Sequence, residues 1–188
     1  MREDSKKMAK IIEGCLDCFI EKGLTVTTTK DLCNALGLCN GAIYYYFETK
    51  EEIVISCAEE AINRIERRVL DIVLEDIDDI AYMMEHLGNL ADEMSSTMRF
   101  LVSVCVSKED GESVKPHLVK LANRYPYYAN KIAEILGCDP IEVEPYVYLS
   151  ILALNNYMIF SERALFNPQI ESAKLGFMKL VQKYRKKK

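Results

Sequence analysis

Apolar residues recur every three to four positions along most of the chain, and this spacing restricts the fold more than any other feature. Sustained alternation of the strand type is almost absent. Only five prolines and eight glycines punctuate the 188 residues. The reading is therefore all-α. Ile11, Ile12, Cys15, Leu16 and Phe19 form the first stripe, and Gly23 follows it as a stop. Thr28-x-x-Asp31 and Thr49-x-x-Glu52 are capping patterns, the first with Asp where Glu is usual. They predict a short helix ending at Gly37, with Leu32 and Leu36 inward, and a long helix carrying Ile53, Cys57, Ile62, Ile65, Val69 and Ile72 inward. Between them, residues 40–47 read as another short helix. Further helices are expected near 77–92, 94–107, 112–136, 141–164 and 168–186, broken by "KEDGE", "GCDP" and "FNP".

Two short helices joined by a turn of about three residues make a helix-turn-helix. Its second helix holds three consecutive tyrosines in "LGLCNGAIYYYFETK". On a wheel of about 100° per residue, Ile43 and Phe47 lie within about 40° of each other and define the inward face. Tyr45 then points directly away, with Tyr44 and Tyr46 on the flanks. An exposed tyrosine can donate to a phosphate oxygen or rest its ring on a sugar or a thymine methyl. Gly41 and Ala42 are small enough to let the helix start approach a duplex closely. The helix start at Thr28 and Thr29 favours a phosphate, and Lys50 is placed to reach one.

Charge gives no bulk argument for a nucleic-acid partner. The net charge is −5. Residues 1–50 carry seven Lys/Arg and seven Asp/Glu, so the excess of acid lies entirely in the remainder. A DNA argument must rest on local geometry.

The residues "TTTKDLCNALGLCNGAIYYYFETKEEI" resemble the DNA-binding domain of the tetracycline-repressor (TetR) family, and the motif-level likeness covers about residues 8–60. The resemblance implies an N-terminal three-helix DNA-binding domain in residues 1–50 and a helical effector-binding and dimerisation bundle in residues 51–188. It implies a DNA-facing set of Thr28, Thr29, Lys30, Cys39, Asn40, Gly41, Ala42, Tyr44, Tyr45, Tyr46 and Lys50. It also implies a homodimeric regulator, a repressor in most of the family, that reads a near-palindromic site on double-stranded DNA and answers to a small-molecule effector. One departure is Cys39, where serine is usual at the start of the recognition helix. Cysteine is a poor N-cap, and Asn40 is the alternative.

The C-terminal half is rich in methionine and tyrosine, which can line a site for an apolar or aromatic ligand. Met83, Leu87, Met94, Met98, Leu101, Tyr127, Tyr148 and Asn155 are the candidate lining residues, with an ordinary core as the competing reading. The segment 141–164 is apolar nearly all round, so it is buried on more than one side. With the last helix, whose stripe runs through Ile170, Ala173, Phe177, Leu180, Val181 and Tyr184, it could supply a dimer interface. Asn155 and Asn156, mid-helix in this apolar segment, need partners in a ligand or across that interface.

No enzyme motif is present. His86 and His117 stand apart, and there is no Gly-rich phosphate loop. Cys15-x-x-Cys18 falls inside a helix, with Cys15 on the apolar stripe, so it reads as core rather than zinc. No metal or cofactor is expected. The seven cysteines show no framework spacing, and "MREDSKKMAK" has no apolar signal region. The longest apolar run, residues 146–160, is too short for a membrane span. A cytoplasmic protein with free thiols is the expectation. Two rival readings are a thiol-responsive regulator sensing through Cys39, and a helical ligand-binding protein without DNA binding.

Overall fold

In the computed structural model, which describes residues 2–76, 79–107 and 111–185, nine helices and no strand are found among the described residues. They are α1 (Arg2–Lys22), α2 (Thr29–Leu36), α3 (Asn40–Ile43), α4 (Lys50–Asp76), α5 (Ile80–Val106), α6 (Gly111–Ala122), α7 (Tyr125–Leu136), α8 (Pro140–Phe160) and α9 (Arg163–Arg185). Contacts divide the chain into two compact units. Unit 1 is residues 1–65 with 96–118, and unit 2 is residues 66–95 with 119–188.

Unit 1 is built on the first stripe. Ile11, Cys15, Leu16, Cys18 and Phe19 of α1 are buried, facing a core that includes Leu32 and Cys33 of α2. α1 stops at Gly23, whose φ of 95° is open to glycine and strained for other residues. Its N–H bonds to Phe19 O at 2.9 Å. Gly14 lies where a Cβ would collide with Leu36, so the missing side chain lets α1 and α2 approach closely. Ile53, Val54, Cys57, Ala58 and Ala61 continue the core along α4, and Thr97, Phe100, Leu101 and Val104 along α5. Phe19 stacks on Phe100 at 5.8 Å between ring centroids. The seven cysteines are free thiols. Cys57 donates to Ile12 O at 3.6 Å, and its hydrogen bond with Cys15, together with burial, pushes its thiol far above the usual range. These sulfurs are core atoms.

Unit 2 packs α7, α8 and α9 together with the far part of α4 and the near part of α5. Gly176 of α9 lies against the Tyr146 ring of α8, where a Cβ would not fit, and Tyr146 in turn meets Phe177 at 5.6 Å. Asp92 of α5 accepts from the Tyr157 hydroxyl and from Arg163 at 2.5 Å, tying α5 to α8 and α9. Of the sequence around 141–164, Val143, Val147, Ala153, Leu154, Tyr157 and Met158 are buried. Ile141, Tyr148, Leu152 and Phe160 are exposed. Asn155 and Asn156 are half-buried.

Several helix boundaries differ from the sequence expectation; α9 begins at Arg163, before the expected start at 168, so the expected break "FNP" falls inside it, with Pro168 accommodated within the helix. Residues 77–92 and 94–107 were expected as two helices, but α5 runs unbroken from Ile80 to Val106. No proline interrupts that stretch, and Gly88 lies inside the helix, where a side-chain Cβ would make only ordinary contact with the Phe166 ring, so it is not a stop. Residues 112–136 divide into α6 and α7 at Asn123 and Arg124, because Pro126 opens α7, where its missing N–H costs nothing. α8 ends four residues early, at Ser161. Its φ of 53° lets its N–H close on Tyr157 O at 2.7 Å. The break at "KEDGE" lies in part outside the described residues, and the tail beyond Arg185 and the His117 side chain lie outside them altogether.

Candidate nucleic-acid interface

The helix-turn-helix is assembled from local signals. Thr28 caps α2: its hydroxyl accepts from Asp31 N–H at 3.2 Å, while the Asp31 carboxylate accepts from Thr28 N–H at 2.9 Å. α2 ends at Gly37, left-handed at φ 64°, with Leu38 N–H returning to Cys33 O at 2.9 Å. The turn leads to α3. Ala42 N–H bonds back to Cys39 O at 2.9 Å, so Cys39 holds the cap position and Asn40 is the first helical residue. The Asn40 side chain lies outside the described residues.

The recognition segment was expected as helix over 40–47. α3 itself covers Asn40–Ile43 and a helical turn carries on. Tyr45 N–H bonds Gly41 O at 3.1 Å and Phe47 N–H bonds Ile43 O at 3.1 Å, while Tyr46 N–H takes the tighter bond to Ile43 O at 2.9 Å. The wheel assignment holds through this mixed winding. Ile43 and Phe47 are buried, whereas Tyr45 is 76 % exposed and Tyr44 48 %. Tyr46 is half-buried and meets Tyr45 edge-on at 5.0 Å.

The Tyr44 hydroxyl lies 3.4 Å from Thr29 Oγ1, so the first residue of α2 and the flank of the recognition turn share one surface. Lys30, Cys39 and Gly41 are exposed, and Ala42 and Lys50 are half-buried. Lys50 opens α4, whose cap is Thr49. The Thr49 hydroxyl accepts from Glu52 N–H at 3.1 Å, and the Glu52 carboxylate accepts from Glu48 N–H at 2.7 Å.

Sequence reasoning missed Lys22, whose ammonium meets Asp31 at 2.7 Å. The signal was available: a lysine in the last turn before a glycine stop, and an acid at the third position of the next helix. Lys22, then the Thr28 bonds, hold the Asp31 carboxyl well below the usual carboxylate range. The Thr28 hydroxyl also donates to that carboxylate, so its hydrogen-bonding capacity is committed to the cap. Thr29 and Lys30 present the outer start of α2.

The candidate ligand residues scatter. Met83 and Leu87 line a small cavity in unit 2 with Met84, Tyr128, Ile132 and Leu154. Its volume is about 30 Å³, room for about one water. Burial, then the Glu66 carboxylate, pushes the Tyr128 phenol up to about 12. Met94 is buried in unit 2, and Met98 and Leu101 are buried in unit 1. Tyr127 is exposed and under the Arg124 guanidinium at 5.6 Å. Tyr148 is 58 % exposed and meets Tyr125 edge-on, and Asn155 is half-buried away from the cavity lining. Among the described residues no His, Cys, Asp and Glu cluster could hold a metal ion, and no helix is long and apolar enough to cross a membrane.

Residues 11–57 match the family model of the bacterial regulatory proteins of the tetR family. The HTH-type transcriptional regulator YfiR of Bacillus subtilis is 26 % identical over 194 aligned positions, covering 94 % of this chain and 93 % of that one. The HTH-type transcriptional repressor KstR2 of Mycobacterium tuberculosis is 29 % identical over 86 positions, 46 % of this chain and 41 % of its own. A solved transcriptional regulator from Rhodococcus superimposes with a TM-score of 0.65 at 14 % identity, over 93 % of this chain and 95 % of that one, a likeness of fold.

Proposed function

The chain belongs to the TetR family of bacterial regulatory proteins, and from this premise we propose that it is a ligand-responsive repressor that binds a near-palindromic operator as a homodimer. The observation that carries the reading is the outward face of the recognition turn. Tyr45 stands opposite the buried Ile43 and Phe47, and Tyr44 is joined to Thr29. Rings placed this way are available to sugars and thymine methyls, and their hydroxyls to phosphates. Thr29, Lys30, Gly41, Ala42, Tyr44, Tyr45 and Lys50 form the proposed contact surface. Thr28 supports it from behind as the cap. The proposed DNA-binding part remains residues 1–50, and the effector and dimer part 51–188.

Exposed apolar side chains on the last two helices support the dimer. Ile141, Tyr148 and Leu152 recur on one face of α8, and Leu175 and Met178 are exposed on α9. Covering such surfaces with a second copy would bury them. A dimer would set its two recognition helices in successive major grooves, about 34 Å apart. The Met-lined cavity of unit 2 is the proposed effector site. An effector that empties the operator 100-fold needs a preference of about 2.7 kcal/mol for the non-binding conformer.

Selection from a randomised duplex pool with wild type and Tyr45→Ala tests this. The expected result is an enriched palindrome that binds the variant at least tenfold more weakly. A pool that stays unenriched at low salt would sink the DNA reading.

A further inference from the structure

The small cavity of unit 2 is walled by α4, α5, α7, α8 and α9, with Val69, Met83, Met84, Leu87 and Tyr128 in its lining. No charged side chain lines it, and the Ser150 hydroxyl donates to Tyr146 O at 2.8 Å. The Tyr128 phenol, pushed up to about 12, is uncharged at neutral pH. The walls are not held alike. The close backbone approaches of α7 are chiefly to α8 and α9, so the seam between α7 and α4 is closed by side chains. One pair of these is charged. Arg124, the N-cap residue of α7, makes no side-chain cap bond, and its guanidinium crosses to the Glu66 carboxylate of α4. The Glu66 side chain is 11 % exposed and that of Arg124 39 %, so the pair stands where interior meets solvent. Arg124 also lies over the Tyr127 ring, which meets Tyr128 edge-on at 5.8 Å. Val69 follows Glu66, and Tyr128 follows Arg124, by about one helical turn, so the pair is one turn from the cavity on both helices. α7 is twelve residues long and lies between the Asn123–Arg124 junction and the left-handed Gly137, two breaks about which it can turn.

We propose that the Glu66–Arg124 pair is the latch of this cavity: it holds the start of α7 against α4, and its release opens the α4–α7 seam to an uncharged apolar ligand. The ligand class follows from the lining. A charged group inside would lose its hydration and meet no counter-charge, whereas an apolar body gains the surfaces of Met83, Met84 and Leu87. Closed, the cavity has room for about one water. The ligand therefore binds the open form, and its apparent affinity is reduced by the fraction of chains that are open. Breaking the latch raises that fraction. The bearing of the latch on DNA rests on the reading of this cavity as the effector site, whereas the latch itself is a property of unit 2 alone.

The test is a fluorescence titration of the full chain with the neutral probe N-phenyl-1-naphthylamine. Glu66→Met removes the ion pair and leaves Arg124 exposed enough to be hydrated, and it should bind the probe about tenfold more tightly than wild type. Ile151→Phe, which fills the cavity, should cancel that gain when added to Glu66→Met. The exchange Glu66→Arg with Arg124→Glu rebuilds the pair in reverse and should return the affinity to within about threefold of wild type, a rescue that a merely structural role would not give. Circular dichroism melts establish that each variant folds, and if the exchange does not, Glu66→Met with and without Ile151→Phe decides. Wild-type affinity in Glu66→Met, or a gain that survives Ile151→Phe, overturns the latch. In Glu66→Gln with Arg124→Gln, whose seam has lost both charges, the anionic 8-anilinonaphthalene-1-sulfonate should gain less than about twofold over wild type, and a gain as large as that of the neutral probe overturns the ligand class. A duplex selected as above is then titrated with Glu66→Met at saturating neutral probe. Weakened duplex binding supports the cavity as the effector site. Unchanged duplex binding overturns that reading and leaves the latch to be judged by fluorescence.

Discussion

Unit 1 and unit 2 each enclose a concavity, and the two differ in volume by more than an order of magnitude, about 980 Å³ against about 30 Å³. The walls explain the gap. In unit 2, Met83, Met84 and Leu87 are long, unbranched or γ-branched side chains that close in on one another. In unit 1, three serines, a threonine and a glycine alternate in the lining with Ile20, Leu24, Val106, Lys50, Glu51 and Arg99, and the short side chains leave more of the groove unfilled. The first concavity has room for a ligand as built, whereas the second has room for about one water.

The largest effects that would break this contrast lie in the recognition turn. Phe47→Ala, at a side chain 1 % exposed, should cost about 3–5 kcal/mol of stability in urea melts. Tyr45→Ala, 76 % exposed, should stay within about 0.5 kcal/mol, its loss confined to DNA affinity. Comparable destabilisation by the two would mean that Tyr45 is a packing residue.

Next comes the unit 2 cavity. Leu87→Ala should cost about 2–4 kcal/mol and enlarge the cavity enough to admit a small apolar guest such as benzene, which would raise the melting temperature of the variant alone. Stabilisation of wild type by the same guest would show that the cavity is already open, and the contrast with unit 1 would fall.

The smallest effects sharpen the account of unit 1. Thr28→Ala should cost about 1 kcal/mol by removing the cap. Asp31→Asn bears on acid sensitivity. The folded carboxyl titrates below its unfolded value, so its stabilisation is complete above about pH 4 and is lost as pH falls through the folded value. The Asn variant should therefore show a flatter stability profile below about pH 4. A profile parallel to wild type would mean that Lys22 and Thr28 do not hold the carboxylate in solution.

What could be read from the chain alone follows the same division. The α2–α3 region is written in local punctuation: Thr28 with Asp31, the left-handed Gly37, Thr49 with Glu52, and Ile43 and Phe47 four apart. Each acts within a few residues, so the order of the helices and the outward tyrosine are legible without tertiary knowledge. The separation of α6 from α7 depended on Pro126, whose meaning changes with its position in a turn. The unit 1 groove was not legible at all. It exists because Phe19 meets Phe100 and because Lys50 and Arg99 converge, pairings remote in sequence that no periodicity encodes. The scatter of the methionine set has the same cause. Hydrophobicity marks Met98 and Leu101 as buried, but burial in unit 1 or unit 2 is decided by which helices pack.

Four of the seven thiols, Cys15, Cys18, Cys33 and Cys57, are enclosed in the unit 1 core and shielded from solvent while the chain is folded. Unfolding adds them to Cys39, already exposed, and to the partly buried Cys105 and Cys138 in one disordered chain, where air oxidation can join them in pairings that the native core cannot accommodate. Folding thus shields these four thiols from oxidant, and unfolding removes the shield. Heating without reductant should therefore become a one-way process, its apparent midpoint moving with scan rate, and the lifetime of the folded chain under those conditions should be set by how fast it opens and not by how stable it is.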